Sequence, residues 1–155
     1  MILPDVNLLL YANDSSSPFH STAAAWWQAC LSGTEPVGLA HVAVFGFIRI
    51  ATNTRVFKTP LTPGEAAESV LSWLEQPNVQ ILDPGPDHLP STLVHLKSLG
   101  TAGNLVTDAQ LATLALAHDA VLHTADADFM RFAGLRWFNP LTGMGSARPR
   151  RARGT

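Results

Sequence analysis

Apolar residues along this chain fall into two kinds of run. Short ones of three to five residues, "MILP", "PVGLA", "VQILD", "AVLHT" and "LRWF", have the length and β-branched content of buried strands. Between them lie longer stretches in which apolar positions recur at helical spacing. "NLLLYAN" follows the first strand, and "FHSTAAAWWQACLSG" closes on Gly33. "TPGEAAESVLSWLEQP" carries Thr62 as N-cap with Pro63 at the first helical position, and it stops before Pro77. "PDHLPSTLVHLKSLG" ends at Gly100. "NLVTDAQLATLALAHD" places Leu105, Ala109, Ala112 and Leu116 on one stripe. "HVAVFGFIRIATN" is read as a helix because of its length, with Val42, Phe45 and Ile48 on its apolar face. "ADFMRF" reads as a short helical turn before the last strand.

Strands alternating with helical segments predict a three-layer α/β domain, a central parallel sheet flanked by helices on both faces. The expected domain spans residues 1–141. The remainder, 142–155, shows turn residues and arginines without periodicity and reads as a basic, disordered tail.

Composition narrows the class. The chain has 155 residues, 46% of them apolar and 14% charged, which suits one domain with a real core. No apolar run approaches the roughly 20 residues needed to cross a bilayer. The N-terminus meets Asp5 without a basic segment before it, unlike a secretory signal, so a cytoplasmic location is expected. Cys30 is the only cysteine, which excludes an internal disulfide and a cysteine-based zinc site. The net charge of −2 is unevenly spread, because four of the ten basic residues (Arg148, Arg150, Arg151 and Arg153) occupy the last eight positions. Residues 1–147 hold six basic and twelve acidic groups, a balance of −6 that repels nucleic acid unless metal ions or a local basic patch intervene.

Charge is therefore worth locating. In an open parallel sheet, ligands bind beyond the carboxyl ends of the strands. Asp5 ends the first strand, Asp126 and Asp128 follow the fourth in "HTADADF", and Asp108 lies near the start of the helix from Asn104. Each has an ordinary explanation: Asp5 and Asp126 suit N-caps, and Asp108 suits the positive end of a helix dipole. Together they are half of the eight Asp residues. At ~5 Å, each ionised pair would repel by about 3 kcal/mol at an effective dielectric near 20. A hard cation relieves such a cluster, and all-oxygen donors suit Mg²⁺ or Mn²⁺ over zinc.

"DVNLLLYAN", "GNLVTDAQLATLAL", "HTADADFMRF" and "GLRWFNPL", in that order, resemble the PIN-domain ribonucleases, most closely the VapC-type toxins of bacterial toxin–antitoxin pairs. The resemblance covers residues 1–141 and implies the same three-layer fold. It implies that Asp5, Asp108 and Asp126 are catalytic metal ligands and that Asp128 is an additional one. Asn7 matches a polar position that steadies the first acid. Many PIN nucleases carry Glu on the helix after the second strand. Here Gly46 occupies that position, and residues 36–64 contain no acid. The implied reaction is metal-assisted hydrolysis of an RNA phosphodiester, with Mg²⁺ as cofactor and Mn²⁺ as substitute. The implied partners are RNA, a small antitoxin protein and a second copy of the chain, with no membrane.

Arg49 and Arg131 lie close enough in sequence to the candidate site to contact RNA phosphates, and each equally suits a solvated surface. Trp26, Trp27, Phe45 and Phe47 are candidates for an apolar contact patch, with core packing expected for at least half of them. Two other enzyme readings fit poorly. A receiver domain needs a lysine after its last strand, whereas the only lysines are Lys58 and Lys97; a DxD glycosyltransferase needs a longer chain. The rival from another class is a PIN scaffold that binds RNA or an antitoxin without appreciable cleavage.

Overall fold

The computed structural model describes residues 1–146, and the arginines of the expected tail lie outside them. The described chain alternates strand and helix. The strands are β1 (Ile2–Pro4), β2 (Val37–Ala40), β3 (Val79–Leu82), β4 (Val121–His123), β5 (Trp137–Asn139) and β6 (Met144–Gly145). The helices are α1 (Val6–Asn13), α2 (His20–Ser32), α3 (His41–Ala51), α4 (Pro63–Leu74), α5 (His88–Leu99) and α6 (Leu105–Ala117), with a 3₁₀ helix at Ala127–Arg131. Among the described residues, no helix is long and apolar enough to cross a membrane.

The sheet runs β3-β2-β1-β4-β5-β6, parallel except for the edge strand β6. Successive strand residues point to opposite faces, yet every residue of β1 and β2 is buried, so both faces of the inner sheet are covered. From β1 the chain winds outward through β2 to β3, then returns to place β4 on the other side of β1. The order thus reverses between β1 and β4. Such a switch point leaves a crevice at the carboxyl ends of the two strands. Register sets Pro4 opposite His123, and the Asp5 N–H donates to the His123 carbonyl, so the residues that follow each strand emerge side by side.

Local signals act as expected at several element ends. Thr62 and Glu65 form a reciprocal capping box with Pro63 in the first turn, and Gly100 ends α5 in the left-handed region at φ 69°. Between α6 and β4, Asp119 adopts φ 49°, an uncommon conformation for a residue with a side chain. Arg136 holds both its carbonyl and its carboxylate.

Two expectations need correction. The stretch at 41–53 is a helix, but its buried face is Ala43, Val44, Phe47 and Ala51, while Phe45 is 64% exposed and Val42 and Ile48 are half-buried. α3 packs against α1, α4 and α6, so more than one of its faces is apolar and the chosen stripe was the outer one. On α6 the stripe ends before Leu116, which is exposed; Leu111, Thr113, Leu114 and Ala115 are buried instead, because α6 lies between α5, α3 and β4. Beyond residue 141 the described chain adds one short pairing. Gly143 turns the chain at φ 75°, and Met144–Gly145 pairs antiparallel with β5, closed by Ser146 Oγ accepting from the Trp137 N–H.

Candidate metal centre

Asp5 is the last extended residue after β1 and the N-cap of α1. Its Oδ1 accepts the Val6 N–H at 2.6 Å, and its Oδ2 accepts the Thr124 hydroxyl at 2.9 Å. It is 4% exposed. Burial is the main cause that pushes its carboxyl up to about 6; the charge of Asp126 adds to the rise, and the two hydrogen bonds oppose it. Asp108, in the first turn of α6, is half-buried, and its carboxyl is pushed up to about 7, first by burial and then by the charges of Asp5, Asp126 and Asp128. All four acids therefore share one electrostatic neighbourhood.

Three of them converge in space. Carboxylate oxygens of Asp108, Asp126 and Asp128 lie within 4.8 Å of one another. Asp126 caps the 3₁₀ helix, with its Oδ1 accepting the Asp128 N–H at 2.8 Å, so its cap role and its place in the trio coexist. Phe129, 1% exposed, anchors that helix from beneath. Asp5 lies outside the trio but close enough for its charge to couple with Asp108 and Asp126, and its oxygens are held by Val6 and Thr124. Each carboxylate oxygen retains a second lone pair.

The donor set fits a hard divalent cation. It is all oxygen, it comes from separate elements of the fold, and it carries like-charge repulsion that the protein relieves only in part. The one side-chain cation at ion-pair distance from these acids, among the described residues, is Arg131, whose Nη2 lies 3.5 Å from Asp128 Oδ1. Arg49 is exposed on the last turn of α3.

Asn7 makes no hydrogen bond to Asp5 among the described residues; the Val6 N–H and Thr124 steady that acid instead. Thr124 went unrecognised in the sequence. It is 1% exposed, and its hydroxyl donates to Asp5 while accepting the Asp126 N–H at 3.0 Å, so one oxygen ties the acid after β1 to the acid after β4. A buried hydroxyl one residue past a strand, two before an Asp, was the available signal. Trp26 was also read without its partner: its Nε1–H donates to His123 Nδ1 at 3.0 Å, and burial pushes that imidazole down to about 4, leaving it neutral. Trp27 and Phe47 belong to the core, and only Phe45 of the four aromatic candidates is exposed.

Gly46 is buried. A Cβ there would stand 2.9 Å from Val6 Cγ2, so α3 crosses the first turn of α1 at glycine distance.

The PIN domain family model matches residues 2–135. Ribonuclease VapC33 of Mycobacterium tuberculosis is 50% identical over 141 residues, covering 91% of this chain and 99% of that protein. Ribonuclease VapC37 of the same species is 39% identical over 140 residues, covering 90% and 97%. Among solved structures, M. tuberculosis VapC20, described as a sarcin–ricin loop cleaving toxin, superposes with TM-score 0.67 at 15% identity, covering 87% and 96%. VapBC-1 of nontypeable Haemophilus influenzae gives 0.62 at 21% identity, covering 90% and 98%. The sheet reversed at β1/β4, the acids beyond those strands and the extended match to VapC relatives agree: this chain belongs to the PIN-domain family, among the VapC ribonucleases.

Proposed function

We propose that the protein is a metal-dependent endoribonuclease, the toxin of a toxin–antitoxin pair, that hydrolyses RNA phosphodiester bonds in the cytoplasm. The observation that carries this reading is the convergence of Asp108, Asp126 and Asp128 beside buried Asp5, in a chain so closely related to proteins named as VapC ribonucleases. Asp5, Asp108 and Asp126, with Asp128, would hold Mg²⁺ or Mn²⁺. A divalent cation bound there supplies an activated water and stabilises charge on the leaving oxygen. The chain's own part is to present the carboxylates in fixed positions. Thr124 and the Val6 N–H orient Asp5, Asp126 is fixed through its cap, and α6 carries Asp108 on a packed helix. In the metal-free protein, burial and the neighbouring acids push the Asp108 carboxyl up to about 7, and a cation bound there would favour its ionised form. Arg49 and Arg131 supply phosphate contacts.

The partners follow from the same reading. An antitoxin segment seats its apolar residues in the cleft of about 730 Å³ lined by Leu10, Phe47, Ala51, Phe57 and Leu61, with Asn13 and Lys58 on its rim. It brings an Arg or Lys toward the acids. A second copy of the chain packs on the exposed Leu89, Leu93 and Val94 of α5.

Purified protein incubated with a mixed-sequence fluorogenic RNA tests the function. Cleavage with Mg²⁺ or Mn²⁺ that stops in excess EDTA is expected. Undiminished cleavage in EDTA would overturn the metal mechanism. The absence of metal-dependent cleavage on total RNA would favour a binding scaffold, the reading that draws on Gly46 at the usual Glu position.

A further inference from the structure

Arg131 stands in an unusual relation to the acids. It shares the 3₁₀ helix with Asp128, three residues on, and its guanidinium lies 3.5 Å from the carboxylate that also reaches Asp108 and Asp126. The backbone of this helix is held in place: Asp126 accepts the Asp128 N–H, and Phe129, between Asp128 and Arg131 in sequence, is buried in the core. Movement is left to the side chains. Both are about half exposed, 54% for Arg131 and 48% for Asp128, so the pair is wet and opens readily. Asp128 thus has two competing electrostatic partners, a guanidinium on one side and the cation position among the acids on the other.

We propose that Arg131 is a positioning residue that reserves Asp128: in the free protein it competes with the metal for this carboxylate, and a substrate phosphate releases Asp128 by drawing the guanidinium away. The inference rests on reading the acid cluster as a metal centre. It makes metal and phosphate binding cooperative, since a phosphate that captures Arg131 frees a ligand, and a metal that captures Asp128 frees a phosphate-binding guanidinium. Such coupling is reciprocal in free energy. It would also moderate repulsion among the carboxylates when no cation is bound, at no cost in donors once substrate arrives.

The test measures Mn²⁺ affinity by electron paramagnetic resonance on the full chain, first without RNA. Arg131→Gln is expected to bind Mn²⁺ about three- to tenfold more tightly than wild type, because Asp128 no longer has to leave an ion pair and one like charge near the cation is gone. Arg131→Lys should retain the wild-type affinity. In an Asp128→Asn background, Arg131→Gln should give a clearly smaller gain, because the contested carboxylate is gone and only through-space repulsion of the cation is relieved. Adding a 2′-O-methyl phosphorothioate oligonucleotide should tighten Mn²⁺ binding to wild type more than to Arg131→Gln, where only the charge of the oligonucleotide itself acts. Equal or weaker Mn²⁺ binding by Arg131→Gln, or the same gain in the Asp128→Asn background, overturns the proposal while leaving the metal centre standing. Failure of wild type to bind Mn²⁺ overturns both.

Discussion

Helices α3 and α6 touch one another beside the β1/β4 switch point, yet they serve the site in opposite ways. α6 is buried over most of its circumference and still presents Asp108 at its first turn, half open to solvent. α3 brings no carboxylate, and its nearest approach is Gly46 against Val6. Val6 is the residue whose N–H donates to the Asp5 carboxylate that caps α1. One helix therefore contributes charge, and the other contributes proximity that seats the turn behind the first acid. The position where many PIN nucleases carry Glu is not open space in this chain. Val6 fills it.

The sharpest way to break this division is to remove the charge. Asp108→Asn and Asp5→Asn should each lower RNA cleavage by about 10²-fold or more, as expected when a ligand of a catalytic metal is lost. Metal-free melting temperature should stay equal or rise, because each substitution relieves like-charge repulsion at nearly constant volume. Variants that cut RNA at wild-type rate would return Asp5 to a helix cap and Asp108 to a charge at the positive end of a helix dipole.

Next comes the contact on α3. Gly46→Ala should destabilise the fold by about 1–3 kcal/mol through overpacking against a buried, branched side chain. Chemical denaturation measures it, and Val6→Ala in the same chain should recover part of the loss. A neutral Gly46→Ala would mean that α3 and α1 separate easily and that proximity there is incidental.

Charge on α6 also has a pH signature. Asp5 and Asp108 hold protons up to about 6 and 7 when folded, against an ordinary value of 3.8. As pH rises from about 4 toward 7, the unfolded chain releases these protons before the folded one does, so the metal-free fold loses stability across that window. The melting temperature of Asp108→Asn in EDTA should therefore climb relative to wild type over the same interval, and saturating Mg²⁺ should narrow the gap by stabilising wild type more. A gap that stays constant with pH would show that Asp108 titrates as an ordinary surface acid.

The smallest effect is expected from the outer end of α3. Arg49→Ala should weaken RNA binding about evenly across sequences and lower the salt slope by about one. Filter binding at several salt concentrations reads both. An unchanged slope would leave α3 with a packing role alone.

Much of this was legible from residues whose physics is local. Thr62, Pro63 and Glu65 announce a helix start wherever they occur together, and Gly100 announces a stop. The acids were legible because a carboxylate after a short apolar run is rare in so weakly charged a chain. What stayed hidden depends on partners distant in sequence. The inner face of α3 is decided by three neighbouring helices, not by its own periodicity. Asn7 matches a family position that steadies the first acid, whereas the hydrogen bond to Asp5 comes from Thr124, which only the β1/β4 register brings near. β6 is two residues long and exists because Gly143 turns it back onto β5.

The Thr124 bridge has a consequence for how the molecule comes into being. Asp5 and Thr124 are 119 positions apart, and they meet only when the fourth strand inserts beside the first. A nascent chain carries its first acid from the outset but acquires the other three, and the hydroxyl that aligns them, only in the last third of synthesis. Closing so large a loop is among the slower steps available to a small domain. Any fragment that stops before residue 108 holds a single acid of the four and no means of assembling the centre. The four acids can therefore act together only after the chain has been made through residue 128.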